Sequence, residues 1–133
     1  MNKIFKIAFI LIISTTSLQA QKAAPLYNLC GKTGDCTMTW DEFMKCKKEL
    51  VPTTKGVSVS SFVLTIMKPE KKDTLQIEYP SKGNAFSKQA IEAIDKLYKD
   101  KKIGNKILIE AVQVVESGKE ARKVPGMVIT LTN

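Results

Sequence analysis

The sequence predicts an α+β domain: a mostly antiparallel sheet of about four strands packed with one main helix, plus a short N-terminal helix. Three observations carry this expectation. Apolar residues alternate with period two in "VSVSSFVLTIM" and "TLQIEY", they recur at helical spacing in "KQAIEAIDKLYKD", and turn-forming clusters such as "KPEKKD" and "PSKGNAF" separate the runs.

Residues 1–20 read as a signal peptide rather than as part of the fold. Lys3 and Lys6 form a basic start, Ile7 to Ile13 an apolar run too short to span a bilayer, and Ala20 a cleavage site. No lipobox cysteine follows, so no stable membrane anchor is expected. The mature chain then begins at Gln21 and sits in the periplasm or is secreted. Removing 20 of the 133 residues leaves 113, enough for one core, divided into a cysteine-bearing segment at 21–56 and a β-rich domain at 57–133. The signal holds two of the 21 basic residues and none of the 13 acids, so the mature charge is +6. A basic balance suits nucleic acid or an anionic surface. Here the lysines are scattered, Arg122 is the only arginine, and no aromatic-interleaved basic run or zinc-finger spacing occurs, so nucleic acid is not the expected partner. Histidine is absent, which removes Ser-His, Cys-His and His-metal chemistry from the chain.

Within "CGKTGDCTMTWDEFMKC", residues 30–46, Thr39 and Glu42 have capping-box spacing at the head of "WDEFMKCKKEL", with Met38 and Phe43 at the staple positions. The same stretch resembles a calcium loop when Glu42 is set at position twelve. Gly31 then stands at the first ligand position, Thr33 at the third, Asp35 at the fifth and Cys36 where the turn needs glycine. Only Asp35 and Glu42 remain as strong oxygen donors, so no metal is expected and calcium is the weaker alternative. "GKT" lacks the upstream glycine of a phosphate loop, Leu26 standing in its place, and no cofactor is expected. In an exported chain the three cysteines suggest a disulfide. Cys36 before the helix and Cys46 nearly two turns inside it are too far apart, so Cys30 is the common partner. The preferred pair is Cys30 with Cys36 and the alternative Cys30 with Cys46, with one thiol left buried or available for pairing two chains as a homodimer.

From Val57 the pattern is β. The apolar phase runs Val59 and then Phe62, Leu64, Ile66, with Ser60-Ser61 placed to absorb the slip as a bulge. Leu75, Ile77 and Tyr79 share one face of the next strand. Ser87 caps the main helix, Phe86 and Ile91 stand at its staple positions, and Ala90, Ile91, Ile94, Leu97 and Tyr98 form its apolar stripe. Lys99, Lys101 and Lys102 suit its C-terminal end and Gly104 its termination. "KILIEAVQVV" is a strand, "ESGKEARK" a hairpin connection, and "GMVITLT" a closing strand with Met127, Ile129 and Leu131 inward. Trp40 and Tyr98 read as core or rim aromatics, and Glu110 as an outward carboxylate in an apolar strand. No nucleophile stands with a base, so no catalytic residue and no enzyme activity is expected.

The segment from "VSVSSFVLTIM" through "IGNKILIEAVQV" to "SGKEARKVPGMVITL" resembles the C-terminal periplasmic domain of GldM, from the Bacteroidetes gliding and type IX secretion machinery. The resemblance spans residues 57 to 133. It implies a free-standing relative that docks on a protein partner in the cell envelope through its sheet edge or terminal hairpin, where Lys119 and Arg122 are the candidate contacts. The alternatives are a small exported ligand- or calcium-binding protein using the Cys30 to Glu42 loop, and a secreted inhibitor or effector.

Overall fold

The computed structural model describes residues 26–69, 73–100 and 105–133. The signal-peptide reading and the helix stop at Gly104 lie outside them. In chain order the elements are β1 (Tyr27–Asn28), β2 (Cys36–Thr39), α1 (Trp40–Lys45), β3 (Val51–Pro52), β4 (Val57–Pro69) and β5 (Thr74–Lys82). They are followed by α2 (Lys88–Asp100), β6 (Lys106–Glu116), β7 (Arg122–Val124) and β8 (Met127–Thr132).

The two long strands β4 and β6 pair antiparallel at the centre of the sheet. Between Val59↔Val114 and Ser61↔Gln113 the extra residue lies on β4; between Ser61↔Gln113 and Val63↔Glu110 it lies on β6. The two slips cancel, so Val57↔Glu116 and Met67↔Lys106 keep one register. A strand has a side-chain period of two, so each slip moves the inward phase by one residue. Hence Val59 is buried and then Phe62, Leu64 and Ile66, while β6 buries Ile107 and Ile109 and then Val112 and Val114. The Ser60-Ser61 bulge is as the sequence predicts. Its counterpart on β6 sits at Ala111, a non-glycine residue at φ 48°.

That second bulge shapes the neighbouring strand. β7 pairs with Val112–Val114 and β8 with Lys106–Ile109, so the two form one ribbon broken at Pro125-Gly126. Gly126 meets β6 so closely that a Cβ there would lie 2.0 Å from the Ile109 carbonyl oxygen. Backbone occupies the place of a side chain.

The sheet order is β2-β8-β6-β4-β5, with β7 also on β6. This corrects the expected four-stranded, mostly antiparallel sheet. Six strands form a mixed sheet, strand outweighs helix, and the extra edge comes from the cysteine segment. β2 joins β8 in parallel, Cys36↔Ile129 through Thr39↔Thr132. A parallel partner ninety residues away leaves no local sequence signal, whereas the capping box beside β2 is conspicuous. Met127, Ile129 and Leu131 face inward as expected.

Both helices bury side chains in one core, so residues 26–56 and the β-rich remainder share it. Trp40, Phe43, Leu29 and Leu50 belong to the same cluster as Phe62, Ile94 and Ile109. Trp40 contacts Tyr98 of α2 at 6.1 Å between ring centroids, and Phe62 contacts Phe86 at 5.8 Å. The Tyr98 hydroxyl donates to Asp41 Oδ1 at 2.9 Å, tying α2 to α1. α2 is capped by Ser87, whose Oγ accepts from Ala90 N at 3.2 Å. Its buried residues are Ala90, Ile94 and Leu97, while Ile91, expected in the stripe and staple, is 38% exposed. Near the N-terminus, β1 and β3 form a separate two-stranded ribbon, and the buried Tyr27 donates its hydroxyl to Pro125 O at 2.8 Å. This bond fastens the first described residues to the break between β7 and β8.

Gly126→Ala should lower unfolding free energy by about 3 kcal/mol or more, because backbone rather than a flexible side chain must move. Urea unfolding followed by Trp40 fluorescence measures it. Burial first, and the Asp35 carboxylate second, push the Tyr27 hydroxyl up to about 12 from the ordinary 10.0. A folded-state value raised above the unfolded one gives stability complete below about pH 10 and lost as pH climbs towards 12. Ultraviolet titration should resolve one late-ionising tyrosine, absent in Tyr27→Phe, and the alkaline loss of stability should shrink in that variant.

Candidate functional site: a cleft between an edge strand and a helix

β5 is the free edge of the sheet beyond β4. Its pairing places Tyr79 opposite Leu64, Ile77 opposite Ile66 and Leu75 opposite Lys68, so all three lie on the face that carries the core. The period-two reading of this strand therefore has the right face. It has the wrong burial: Leu75 is 44% exposed and Ile77 42%. α2 covers the sheet only as far as β4, and the core face of β5 is left as the floor of a cleft of about 390 Å³. Ile66, Leu75, Ile77 and Tyr79 form that floor. One stripe of α2 forms the wall, with Ala93 and Leu97 low and Glu92, Lys96 and Asp100 higher, at the i, i+4, i+8 spacing of a single helical face.

A strand edge offers a row of backbone donors and acceptors, and the adjacent apolar floor accepts alternate side chains of any strand laid beside it. Sequence reasoning missed the site because alternation reports the face of a strand and not how far a helix reaches across it.

The residues singled out from the sequence fall elsewhere. Cys30 is bonded to Cys46, with Cα atoms 5.3 Å apart, and Cys36 is free. The preferred Cys30 to Cys36 pairing is thereby replaced by its alternative. The physical reason lies at both ends. Cys30 and Gly31, at φ 53° and 76°, are the central pair of a tight two-residue turn closed by reciprocal Leu29–Lys32 backbone bonds of 3.0 and 2.9 Å. α1 stops at Lys45, so Cys46 is its extended C-cap rather than a residue nearly two turns inside it. Lys48 causes that stop in part: its Nζ donates to the carbonyls of Phe43 and Cys46 and lies 4.7 Å above the Phe43 ring. Burial lowers the Lys48 pKa, against the opposing pull of the Asp95 carboxylate. Cys36 shares the inward face of β2 with Met38, and burial raises its thiol pKa, which disfavours the reactive thiolate.

Asp35 and Glu42 do not converge. Asp35 Oδ1 accepts from Val128 N at 2.8 Å, holding β2 onto β8. Glu42 accepts from Thr39 N at 2.9 Å while Thr39 Oγ1 accepts from Glu42 N at 3.1 Å, completing the capping box. Among the described residues no group of three or more His, Cys, Asp or Glu gathers as metal ligands would. Lys119 and Arg122, the expected partner contacts, both reach Glu116 on the same hairpin and remain exposed. Arg122 reaches Glu116 Oε1 at 2.7 and 3.2 Å, and Lys119 reaches Oε2 at 3.2 Å. The Arg122 bond first, and Lys119 second, hold the Glu116 carboxyl below its usual pKa. Glu110 is outward and accepts from the Thr65 hydroxyl at 2.8 Å.

No protein-family model matches the chain, and no curated protein does. Among the described residues no helix is long and apolar enough to cross a membrane. A disulfide accords with an oxidising compartment.

Replacing Cys30 and Cys46 together by serine should cost about 3 kcal/mol, the value for a closed loop of this size at a separation of 16 residues. Denaturant unfolding of the oxidised and variant proteins checks it. Thiol titration of the unfolded, unreduced chain should count one cysteine, and Cys36→Ser should reduce that count to zero.

Proposed function

We propose that this chain is an exported, non-enzymatic protein-interaction domain that receives an extended segment of its partner on the edge of β5, beside α2. The observation that carries the reading is the unguarded edge. Leu75 and Ile77, both more than two-fifths exposed, face a cleft instead of a core. Natural edges are blunted by lysine, proline, bulges or a covering element; β5 carries its proline and lysine, Pro80 and Lys82, only at its C-terminal end, and Thr74 to Tyr79 has neither. The resemblance of residues 57–133 to the C-terminal domain of GldM supports an accessory role in a cell-envelope assembly of the gliding and type IX secretion kind. Export agrees with the N-terminal sequence pattern and the disulfide.

Of the two elements expected from the sequence, the sheet edge and the terminal hairpin, the edge of β5 is the one with an apolar cleft beside it. On the hairpin, Glu116 engages Lys119 and Arg122, whose side chains stay 72% and 52% exposed.

Chemical cross-linking in envelope extract, with mass spectrometry of the bait's own cross-linked peptides, tests this. Cross-links should map to β5 and α2, and Ile77→Lys should abolish them while Arg122→Ala leaves them. Cross-links confined to the β6–β7 hairpin, or a turnover activity abolished by a point substitution, would contradict it.

A further inference from the structure

Resting on the edge-strand reading of β5, the geometry points to a second copy of this chain as the occupant: two molecules pair their β5 strands antiparallel about a two-fold axis at Ile77. Two independent patterns are self-complementary about a centre, as an isologous contact requires.

The first is on the strand. With Ile77 opposite Ile77 of the second copy, Leu75 falls opposite Tyr79 and Tyr79 opposite Leu75, all on the cleft face. Gln76 falls opposite Glu78 on the other face, so no like charges meet from Thr74 to Pro80, and Pro80, which has no amide to donate, falls opposite Thr74 at the end of the paired stretch. Shifting the axis by one residue to Glu78 would oppose two glutamates, and centring it on Gln76 would set Asp73 against Tyr79. Of these three registers, only the one centred on Ile77 gathers Leu75, Ile77 and Tyr79 opposite one another without opposing two glutamates.

The second pattern is on the helix. Along α2 the charges alternate every four residues as Lys88, Glu92, Lys96 and Asp100. Glu92, Lys96 and Asp100 line the cleft, and Lys88 continues the series at 4.0 Å from Glu92. Reversing the helix end to end about its midpoint exchanges Lys88 with Asp100 and Glu92 with Lys96. Two antiparallel copies of α2 flanking a common floor therefore set each cation towards an anion: Glu92 to the second copy's Lys96, and Lys88 to its Asp100. A row of one sign, or an order with like charges at its two ends, would not have this property. The pairing also turns two free edges into one continuous sheet and sets Leu75, Ile77 and Tyr79 of both molecules side by side on its cleft face.

Sedimentation-equilibrium measurement of the mature protein over a wide concentration range tests the inference. A reversible dimer is expected, abolished by Ile77→Lys. Because that change alters an apolar residue, charge reversals on the exposed rim provide the second arm. Glu92→Lys and Lys96→Glu should each raise the dimer dissociation constant about tenfold, since each is repeated twice by symmetry. The double variant, which restores the complementary order, should return it to near the original value. A monomer at every concentration overturns the inference, as does a dimer whose constant the reversals leave unchanged or the double variant fails to restore. If the chain is a monomer and cross-links from β5 still reach another protein, the second copy is wrong and the edge-strand reading stands; if neither occurs, both fall.

Discussion

The pair of opposed bulges in β4 and β6 is the constraint on which the rest of the molecule depends. A single slip would carry half of one strand's apolar residues to the solvent face; a second slip of opposite sense restores the register within a few residues. Between them the phase advances on both strands, so Phe62 and Val112 enter the core where strict alternation would bury Ser61 and Ala111. The large apolar residues on either side of the bulges can then meet one set of helices. Everything attached to these strands inherits the arrangement, from the broken β7–β8 ribbon to the edge strand that follows β4.

The bulge on β6 also explains why the N-terminal segment is part of the domain. The β7–β8 ribbon must break where β6 deviates, and the break exposes the Pro125 carbonyl, which the Tyr27 hydroxyl satisfies. Beyond the break, β8 accepts β2 in parallel, helped by Asp35 on the Val128 amide. α1 then follows directly through its capping box and delivers Trp40 and Phe43 to the core. The Cys30–Cys46 bond closes this path, locking a tight turn against the end of a six-residue helix that is too short to persist alone. Stability in this half of the chain comes from these tertiary ties rather than from helix propensity.

Local physics was legible in the sequence and non-local physics was not. The Thr39–Glu42 box, the Ser87 cap, the Ser60 slip and the inward phase of Met127, Ile129 and Leu131 each rest on neighbours within a few residues, and each is found. The parallel β2–β8 pairing joins residues more than ninety positions apart and has no such signature. The slip in β6, a three-residue step from Ile109 to Val112, is absent from the sequence reading, which takes "KILIEAVQVV" as one strand. The disulfide choice turned on where α1 ends, and Lys48, a residue beyond the helix, takes part in ending it. The cleft was the hardest feature to read, because it arises from the finite reach of α2 over a strand whose own pattern looks fully covered.

The core face of the sheet thus extends one strand further than its helical cover, and the uncovered strand is an edge whose proline and lysine, Pro80 and Lys82, stand only at its C-terminal end. Amide hydrogen exchange along β5 addresses this most directly. Because β5 already gives one side of its backbone to β4, the amides on its other side should exchange fast in dilute protein, and slow when protein concentration rises, with β4 and β6 unchanged. Equal protection of every β5 amide at the lowest concentration would show that the edge is already covered within the chain and would contradict the account.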